Sequence, residues 1–442
     1  MHRAGVVLLI VLSSCSLTSS DDPGPRSQAE KPKKDLARAS AGDNATPPEP
    51  VVSPSVLETT PPAIRPWWKR RVDNLLGAKP FSVQVRFNGD VIYSRDSKNE
   101  RVPASVQKLV LSMALFEELG ADAKFPTTLA ARSFEKSRIK GDLWVIGSGD
   151  PTLGGNPAVL RGLPPGATNV QELVGALRRQ GIKRIDGRVM ASTNQFARDW
   201  NAPGWKSYYK TSYVGLPSAL TYNVNVHKRQ YTNHPEKILA EGLRRRLRRA
   251  GIIVTGDFGA GPAPKKLRTV ATVDSPSLSV LARFMNRQSS NFFAEVLGKR
   301  LGAEHFGEPG TIAKGAKAIA AYARERGVEI DSLDSSGLSY DNRMSPDELA
   351  GLIESAEQEP WVNRLRRGLA AGGDGTLEKR LHNVRLRAKT GTLVNVSALA
   401  GWVWLEQVDD WASFAIISQG LDKSHAMTVE DGVIRTLFHS AR

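Results

Sequence analysis

One cysteine, Cys15, occurs in 442 residues. A lone thiol excludes an intramolecular disulfide framework and any cysteine-rich zinc site. Histidine is also scarce. The seven residues are scattered, with no pair at metal-ligand spacing and no His-Glu-x-x-His, so the sequence predicts no metal centre and no cofactor. The apolar run from Ala4 to Leu12 is too short to span a bilayer as a mature helix. No internal repeat is present. What remains is a composition 40% hydrophobic and 24% charged, that of a soluble globular chain long enough for two or three cores.

Negative charge is in deficit. The formal net charge is +16, which calls for a polyanionic neighbour or an anionic substrate. The N-terminus argues against nucleic acid. Met1-His2-Arg3 is a short basic start, the apolar run follows, and Leu12-Ser13-Ser14-Cys15 ends it. This resembles a bacterial lipobox, in which the cysteine is lipidated; the alternative is an ordinary signal peptide that contains a cysteine. The resemblance implies a signal peptide over 1–15, lipidation at Cys15 and a location in the cell envelope or periplasm. Ser16 implies sorting to the outer membrane in a Gram-negative host. Residues 16–66 are rich in Ser, Pro, Asp, Thr and Ala and cannot build a core. As a flexible tether of about 50 residues they would reach on the order of 40 Å.

Order is expected from Trp67. Phe81 to Phe87 alternates at period two, Asn88-Gly89 suits a tight hairpin turn, and Val91 to Tyr93 is the return strand. Ser105 opens an apolar helical pattern that stops at Gly120. From 123 to 274 the texture changes to short strands and turns, with Arg138 to Gly147 and Arg184 to Met190 as strands. Two amphipathic helices interrupt it, Val170 to Gln180 and Glu236 to Ala250. The second carries Arg244, Arg245, Arg246, Arg248 and Arg249 outward; a solvated face or contact with an anionic envelope polymer is preferred to nucleic acid. Helices are expected over Leu278 to Arg287, Asn291 to Leu301 and Ile312 to Gly327. Ser345-Pro346-Asp347-Glu348 is a capping box that opens another. Strands over Leu386 to Leu393, Ser397 to Leu405 and Trp411 to Ser418 precede a final helix from about Val429 to Phe438.

Three motifs carry chemistry. Ser-x-x-Lys occurs four times, at Ser105, Ser133, Ser137 and Ser207, and only Ser105 opens an apolar helix. Residues i and i+3 share a helix face, so Lys108 can reach the Ser105 hydroxyl. A lysine buried among apolar groups near another cation loses its proton more readily and can act as base. The helix N-terminus offers free N–H groups to an oxyanion. Ser289-Ser290-Asn291 lies between two helical runs, where Ser289 could relay a proton and Asn291 could hold a substrate amide and Lys108. A plain helix cap is the simpler reading of that triplet taken alone. Lys389-Thr390-Gly391-Thr392 sits on a strand. Lys389 and the threonine hydroxyls suit a terminal carboxylate, and Gly391 lets a substrate backbone lie close.

The chain is similar to the D-alanyl-D-alanine carboxypeptidase/endopeptidase family of class C low-mass penicillin-binding proteins, the type-4 group. Besides the three motifs, the likeness rests on Gly147-Ser148-Gly149-Asp150-Pro151-Thr152-Leu153, Pro203-Gly204-Trp205, Ser218-Ala219-Leu220 with Asn223 and Asn225, and Met285-Asn286. It continues through Asp334-Ser335-Ser336-Gly337-Leu338-Ser339, Gly373-Asp374-Gly375-Thr376 and Arg387 to Thr392. Ser290 stands where Asp is commoner, and Ser335 where Gly or Ala is usual. The resemblance implies Ser105 as nucleophile, Lys108 as its base, Ser289 and Asn291 as the second motif, and Lys389, Thr390 and Thr392 on the substrate carboxylate, with the Thr392 N–H in the oxyanion hole. It implies an α/β transpeptidase or β-lactamase-like domain, an antiparallel sheet flanked by helices, made of 67–122 plus 275–442. One or more β-rich domains over 123–274 are inserted between the first two motifs. The expected activity is that of a serine DD-peptidase on peptidoglycan, with β-lactams as covalent inhibitors and a homodimer left open. The rivals are a serine β-lactamase or esterase on the same fold, and a non-catalytic peptidoglycan-binding lipoprotein.

Overall fold

The computed structural model describes residues 66–441; Cys15, the signal segment and most of the tether lie outside the described residues. The chain enters on helix α1 (Trp67–Leu76) and passes into the hairpin β1 (Phe81–Phe87) and β2 (Asp90–Arg95). Its turn is Asn88 at φ 52° and Gly89 at φ 87°. Two positive φ angles match the twist of the flanking strands, as the Asn-Gly pair predicts. A short 3₁₀ turn, Ala104–Val106, then runs into α2 (Gln107–Leu119). Every residue of α2 from Gln107 to Phe116 is buried. A helix covered on all sides belongs at the centre of a core, and this one carries Lys108 there.

The next segment leaves the catalytic layers. Strands β3 (Pro126–Glu135) and β4 (Arg138–Ile146), helix α3 (Val170–Arg179), strands β5 (Arg184–Ile185) and β6 (Val189–Ser192) come first. The small hairpin β7 (Val226–His227) and β8 (Gln230–Tyr231), helix α4 (Pro235–Arg249), and strands β9 (Ile253–Val254), β10 (Phe258–Gly261) and β11 (Arg268–Asp274) follow. A mixed sheet in the order β10-β6-β4-β3-β11, widened by β5 and β9, packs against α3 and α4. Leu143, Leu173, Leu239 and Leu243 lie in a core separate from that of α2. The strand read over Arg184 to Met190 is in fact two, broken at Asp186-Gly187-Arg188. A Cβ at Gly187 would lie 2.5 Å from the Gly141 carbonyl carbon, so the backbones cross too closely for one continuous strand. The arginine face of α4 is not wholly outward either. Arg244 Nε donates to the Gly256 carbonyl and Arg246 Nη2 to that of Gly155.

The chain then returns through α5 (Leu278–Gln288), α6 (Asn291–Phe306), α7 (Ile312–Arg324), α8 (Pro346–Ser355) and α9 (Val362–Gly368). The capping box at Ser345 and Glu348 forms in both directions. Strands β12 (Leu386–Leu393), β13 (Val396–Leu405) and β14 (Asp410–Gln419) and helix α10 (Lys423–Ser440) complete it. Helix α10 starts six residues before the sequence expectation, because the Asp422 carboxylate caps the Ser424 and His425 N–H groups. The antiparallel order is β12-β13-β14-β1-β2, so the two ends of the chain close one sheet. One face, with Ala398, Ala400, Trp402 and Ile417, packs on α8 and shares the core of α2, α5 and α6. The other, with Leu399, Val403, Phe414 and Ile416, packs on α1 and α10. Strands β12 and β2 are its two edges, and β12 is the one beside the Ser105 turn.

Because the inserted sheet has its own core, Leu243→Ala should lower stability by about 3 kcal/mol in urea titrations. The rate of acylation by a fluorescent penicillin should stay within about twofold, since distant sites add independently. A matching loss of acylation would mean the two cores do not fold as separate units.

Candidate active site

Three segments meet at the open edge of β12. The first is the turn before α2. Ala104 has φ 50°, in the left-handed region that a residue with a Cβ adopts at a cost. That bend lifts Ser105 to the start of the helix, half-buried, while Lys108 one turn on is fully buried. In the first turn the Ser105 N–H has no partner within its own helix. Two glycines admit the bend. A Cβ on Gly337, itself at φ 79°, would lie 1.9 Å from the Ala104 carbonyl oxygen, and one on Gly391 2.9 Å from that of Pro103.

Lys108 Nζ lies 2.9 Å from Ser105 Oγ, 2.8 Å from Asn291 Oδ1, and within hydrogen-bond reach of the Ser336 carbonyl. A neutral amine that donates to the two carbonyl oxygens turns its lone pair toward the Ser105 hydroxyl. That is the geometry of a general base. The backbone of this turn is tied down as well. Ser112 Oγ donates to the Lys108 carbonyl, and Asn286 Nδ2 donates to Ser112 Oγ.

The second segment is the junction of α5 and α6. Ser289 ends α5 in the left-handed conformation, φ 52° and ψ 38°. Ser290 caps α6 by accepting the Phe293 N–H, so the middle serine supplies the cap that an aspartate could also supply. Its neighbours are left for the cleft. Asn291 therefore stands on the first turn of α6, not on a loop. Glu295, one turn further, is fully buried, and its Oε1 accepts the N–H groups of Ser335 and Ser336. Burial, then the nearby Asp334, pushes its carboxyl up to about 8, with the Ser336 hydrogen bonds and Lys108 opposing. At neutral pH it is mostly protonated, which removes one anion that would hold a proton on Lys108.

The third segment is β12. Lys389 Nζ donates to Ser289 Oγ at 2.9 Å and to the Thr390 carbonyl at 2.7 Å. Thr390 Oγ1 meets Thr376 Oγ1 at 2.8 Å. The Ala388 N–H donates outward to the Ala370 carbonyl, away from β13. Strand alternation then points the N–H groups of Thr390 and Thr392 outward too, toward the Ser105 turn that Gly391 touches. The Ser105 and Thr392 N–H groups thus both face the cleft, as an oxyanion hole requires.

All eight residues singled out in the sequence lie on these three segments. The other Ser-x-x-Lys serines stand elsewhere: Ser133 and Ser137 in the β3-β4 hairpin of the inserted sheet, Ser207 exposed between β6 and β7. Sequence reasoning did not identify Glu295, the Ser336 carbonyl or Thr376 as parts of the site. A charged residue four places after Asn291, inside the apolar run Phe292 to Leu301, was the signal for Glu295. The remaining shared motifs prove to be scaffolding. The buried Asp334 carboxylate accepts from the N–H groups of Gly337 and Ser339, from Asn342 Nδ2 and from Trp205 Nε1. Asp150, buried, holds Thr152 and Thr168. Ser335 occupies room left by Gly298, where a Cβ would fall 1.9 Å from its hydroxyl. Among the described residues no three His, Cys, Asp or Glu side chains converge to hold a metal ion.

Fold and site together are those of a serine peptidase, with two serine-lysine pairs gathered at one cleft. The model of the D-Ala-D-Ala carboxypeptidase 3 (S13) family matches residues 75–236 and 225–438. The chain belongs to that family, and it is a serine DD-peptidase. It is 25% identical over 440 residues to a D-alanyl-D-alanine carboxypeptidase of Actinomadura sp. strain R39, covering 78% of each chain. It is 28% identical over 354 residues to the carboxypeptidase DacB of Mycolicibacterium smegmatis, covering 75% of this chain and 74% of that one. The crystal structure of penicillin binding protein 4 (dacB) from Haemophilus influenzae superposes with a TM-score of 0.69 at 20% identity, over 83% of this chain and 99% of that one. That likeness shows the fold.

The elevated Glu295 carboxyl fixes a sign for stability against pH. Below its ordinary value of 4.5 the folded and unfolded chains both hold the proton; from there to about 8 only the folded chain does, so stability falls as pH rises through that window. Glu295→Gln should flatten the slope, gaining on the order of 5 kcal/mol over wild type at the alkaline end. Parallel curves for the two proteins in urea titrations across that range would show that Glu295 keeps an ordinary carboxyl.

Proposed function

We propose that Ser105 attacks the carbonyl of a D-Ala-D-Ala or D-Ala-meso-diaminopimelate bond in a peptidoglycan stem peptide. The single observation that carries this reading is the 2.9 Å contact of a buried lysine amine with the Ser105 hydroxyl, beside a second serine-lysine pair at the same distance. Lys108 takes the Ser105 proton as the Oγ–C bond forms. The carbonyl oxygen becomes negative between the Ser105 and Thr392 N–H groups. The C–N bond then breaks, and the proton passes by way of Ser289 to the leaving amine. Asn291 orients the substrate amide and Lys108. Lys389, Thr390 and Thr392 hold the leaving residue's carboxylate, and Gly391 lets the substrate backbone lie against the strand. Water, deprotonated by Lys108, releases the acyl group and regenerates Ser105. A β-lactam enters at the first step and stays on the serine because its amine cannot leave.

Ser105→Ala should abolish labelling by a fluorescent penicillin and lower kcat/KM on a peptide ending in D-Ala-D-Ala by at least about 10³. Labelling at the wild-type level in that variant would move the nucleophile elsewhere.

The same reading places the enzyme in the cell envelope, held by a lipid on Cys15 and reaching the wall through the tether of 16–66. The lipobox-like Leu12 to Cys15 and the coreless composition of the tether support it. Cys15→Ser should release the protein from the membrane fraction and end incorporation of labelled palmitate; unchanged fractionation and labelling would exclude Cys15 as the anchor.

A further inference from the structure

Beyond Lys389, the edge strand and the residue just before it carry two more cations on the same face. Across β13, Lys389 stands opposite Ala400 and Arg387 opposite Trp402, and these partners belong to the face that packs on α2. Arg385 lies two residues earlier again. Successive residues on one face of a strand are about 7 Å apart. Helix α9 faces them with Arg366 and Arg367. With Asn363 and Trp411, these four arginines line an open groove whose lining includes no acidic side chain.

The groove is held ready for an anion. The Arg385 guanidinium lies 3.4 Å from the centre of the Trp404 ring. Arg366 lies 5.1 Å from the rings of both Trp402 and Trp411. Stacking on an aromatic face fixes a guanidinium and leaves its N–H edge to grip a carboxylate. Arg366 is paired with Glu357, yet its Nε is buried and has no partner among the described residues. Among the described residues no carboxylate pairs with Arg367, Arg385 or Arg387. Like charges gathered in this way repel one another, and a bound anion relieves the repulsion.

The groove also connects to the catalytic centre. Arg287, two residues before Ser289, pairs with Asp374 at 2.7 Å and donates to the Arg367 carbonyl at 3.2 Å. Burial, and then the charges of Arg283 and Arg387, lower the Arg287 guanidinium's hold on its proton, with Asp374 opposing. Thr376 of the same loop touches Thr390.

Direction along β12 decides what can lie there. Thr392 faces the scissile carbonyl, Lys389 and Thr390 the carboxylate of the leaving residue, and Arg387 and Arg385 whatever extends beyond it. A departing D-Ala ends at Lys389. Only a leaving group that continues past that carboxylate reaches the groove.

We propose that the arginine groove is an acceptor-stem site, binding the carboxylates of the second stem peptide when a cross-link is cut. In that reaction the D-Ala C–N bond breaks, Ser105 Oγ takes the acyl group, and the amine of the acceptor's diamino acid takes the proton and departs with its stem. The inference rests on the Ser105 reading above.

The test compares wild type with Arg367→Gln/Arg387→Gln on a purified cross-linked muropeptide dimer and on an uncross-linked tripeptide ending in D-Ala-D-Ala, with fluorescent-penicillin acylation followed beside them. The double variant should lose about tenfold in kcat/KM on the dimer while tripeptide hydrolysis and acylation stay within about twofold. Dimer cleavage by wild type should weaken between about 50 and about 500 mM NaCl, and the variant should lose much of that dependence. Equal losses on both substrates, or an unchanged rate on the dimer, overturn the proposal. A wild-type enzyme that cleaves the tripeptide but not the dimer overturns the acceptor site alone; one that takes up no penicillin overturns the nucleophile assignment and this site with it.

Discussion

Everything at the catalytic centre depends on how one buried amine is held. Lys108 sits inside a helix packed on all sides, and water does not solvate its charge there. Two carbonyl oxygens, from Asn291 and Ser336, fix its direction and leave the third side of the nitrogen for Ser105. Each contact comes from a different part of the chain, so the amine is held this way only when those segments dock. A lysine on an exposed turn would stay charged and would compete with water for the same hydroxyl.

Helix α6 is the spine of that docking. Asn291, Glu295 and Lys299 repeat at intervals of four and share one face. Asn291 holds Lys108, and Glu295 holds the N–H groups of Ser335 and Ser336. Lys299, also fully buried, grips the carbonyls of Ala197 and Asp199 and the Asp199 carboxylate. The segment so held leads to Trp205, which donates to Asp334 and closes the circuit on the loop that supplies the Ser336 carbonyl. One polar stripe on an otherwise apolar helix thus ties the inserted segment to the Ser105 turn. The members are held largely through one another, as buried polar groups in a low-dielectric core require, although Glu295 Oε2 has no partner among the described residues.

The sheet contributes by placing one of its edges, β12, at the cleft. Closing β1 and β2 onto β14 fixes the far side, and β12 is left with outward N–H groups at Thr390 and Thr392. An unpaired edge normally invites aggregation. Here the Ser105 turn, the Ser289 junction and the Gly373 to Thr376 loop stand around it and turn it into a substrate channel. Its cationic row, from Lys389 back to Arg385, gives the channel a polarity along its length.

The sequence by itself determined the local pieces. The Asn88-Gly89 turn, the capping box at Ser345 and the bounds of β12 follow from short-range chemistry, and the family motifs pointed to the residues that the structure gathers around Ser105. Limits set by distant contacts were not legible: the break at Asp186-Gly187 comes from a crossing backbone. The burial of Glu295 beneath Lys108 was hidden because a glutamate in a helix is ordinarily solvated. Nor could a string of arginines spread over 366 to 387 announce that two of its members would stack on tryptophans beside the cleft. Tertiary structure alone decided which charges share a face and which lose their water, because both depend on packing between segments far apart in the chain.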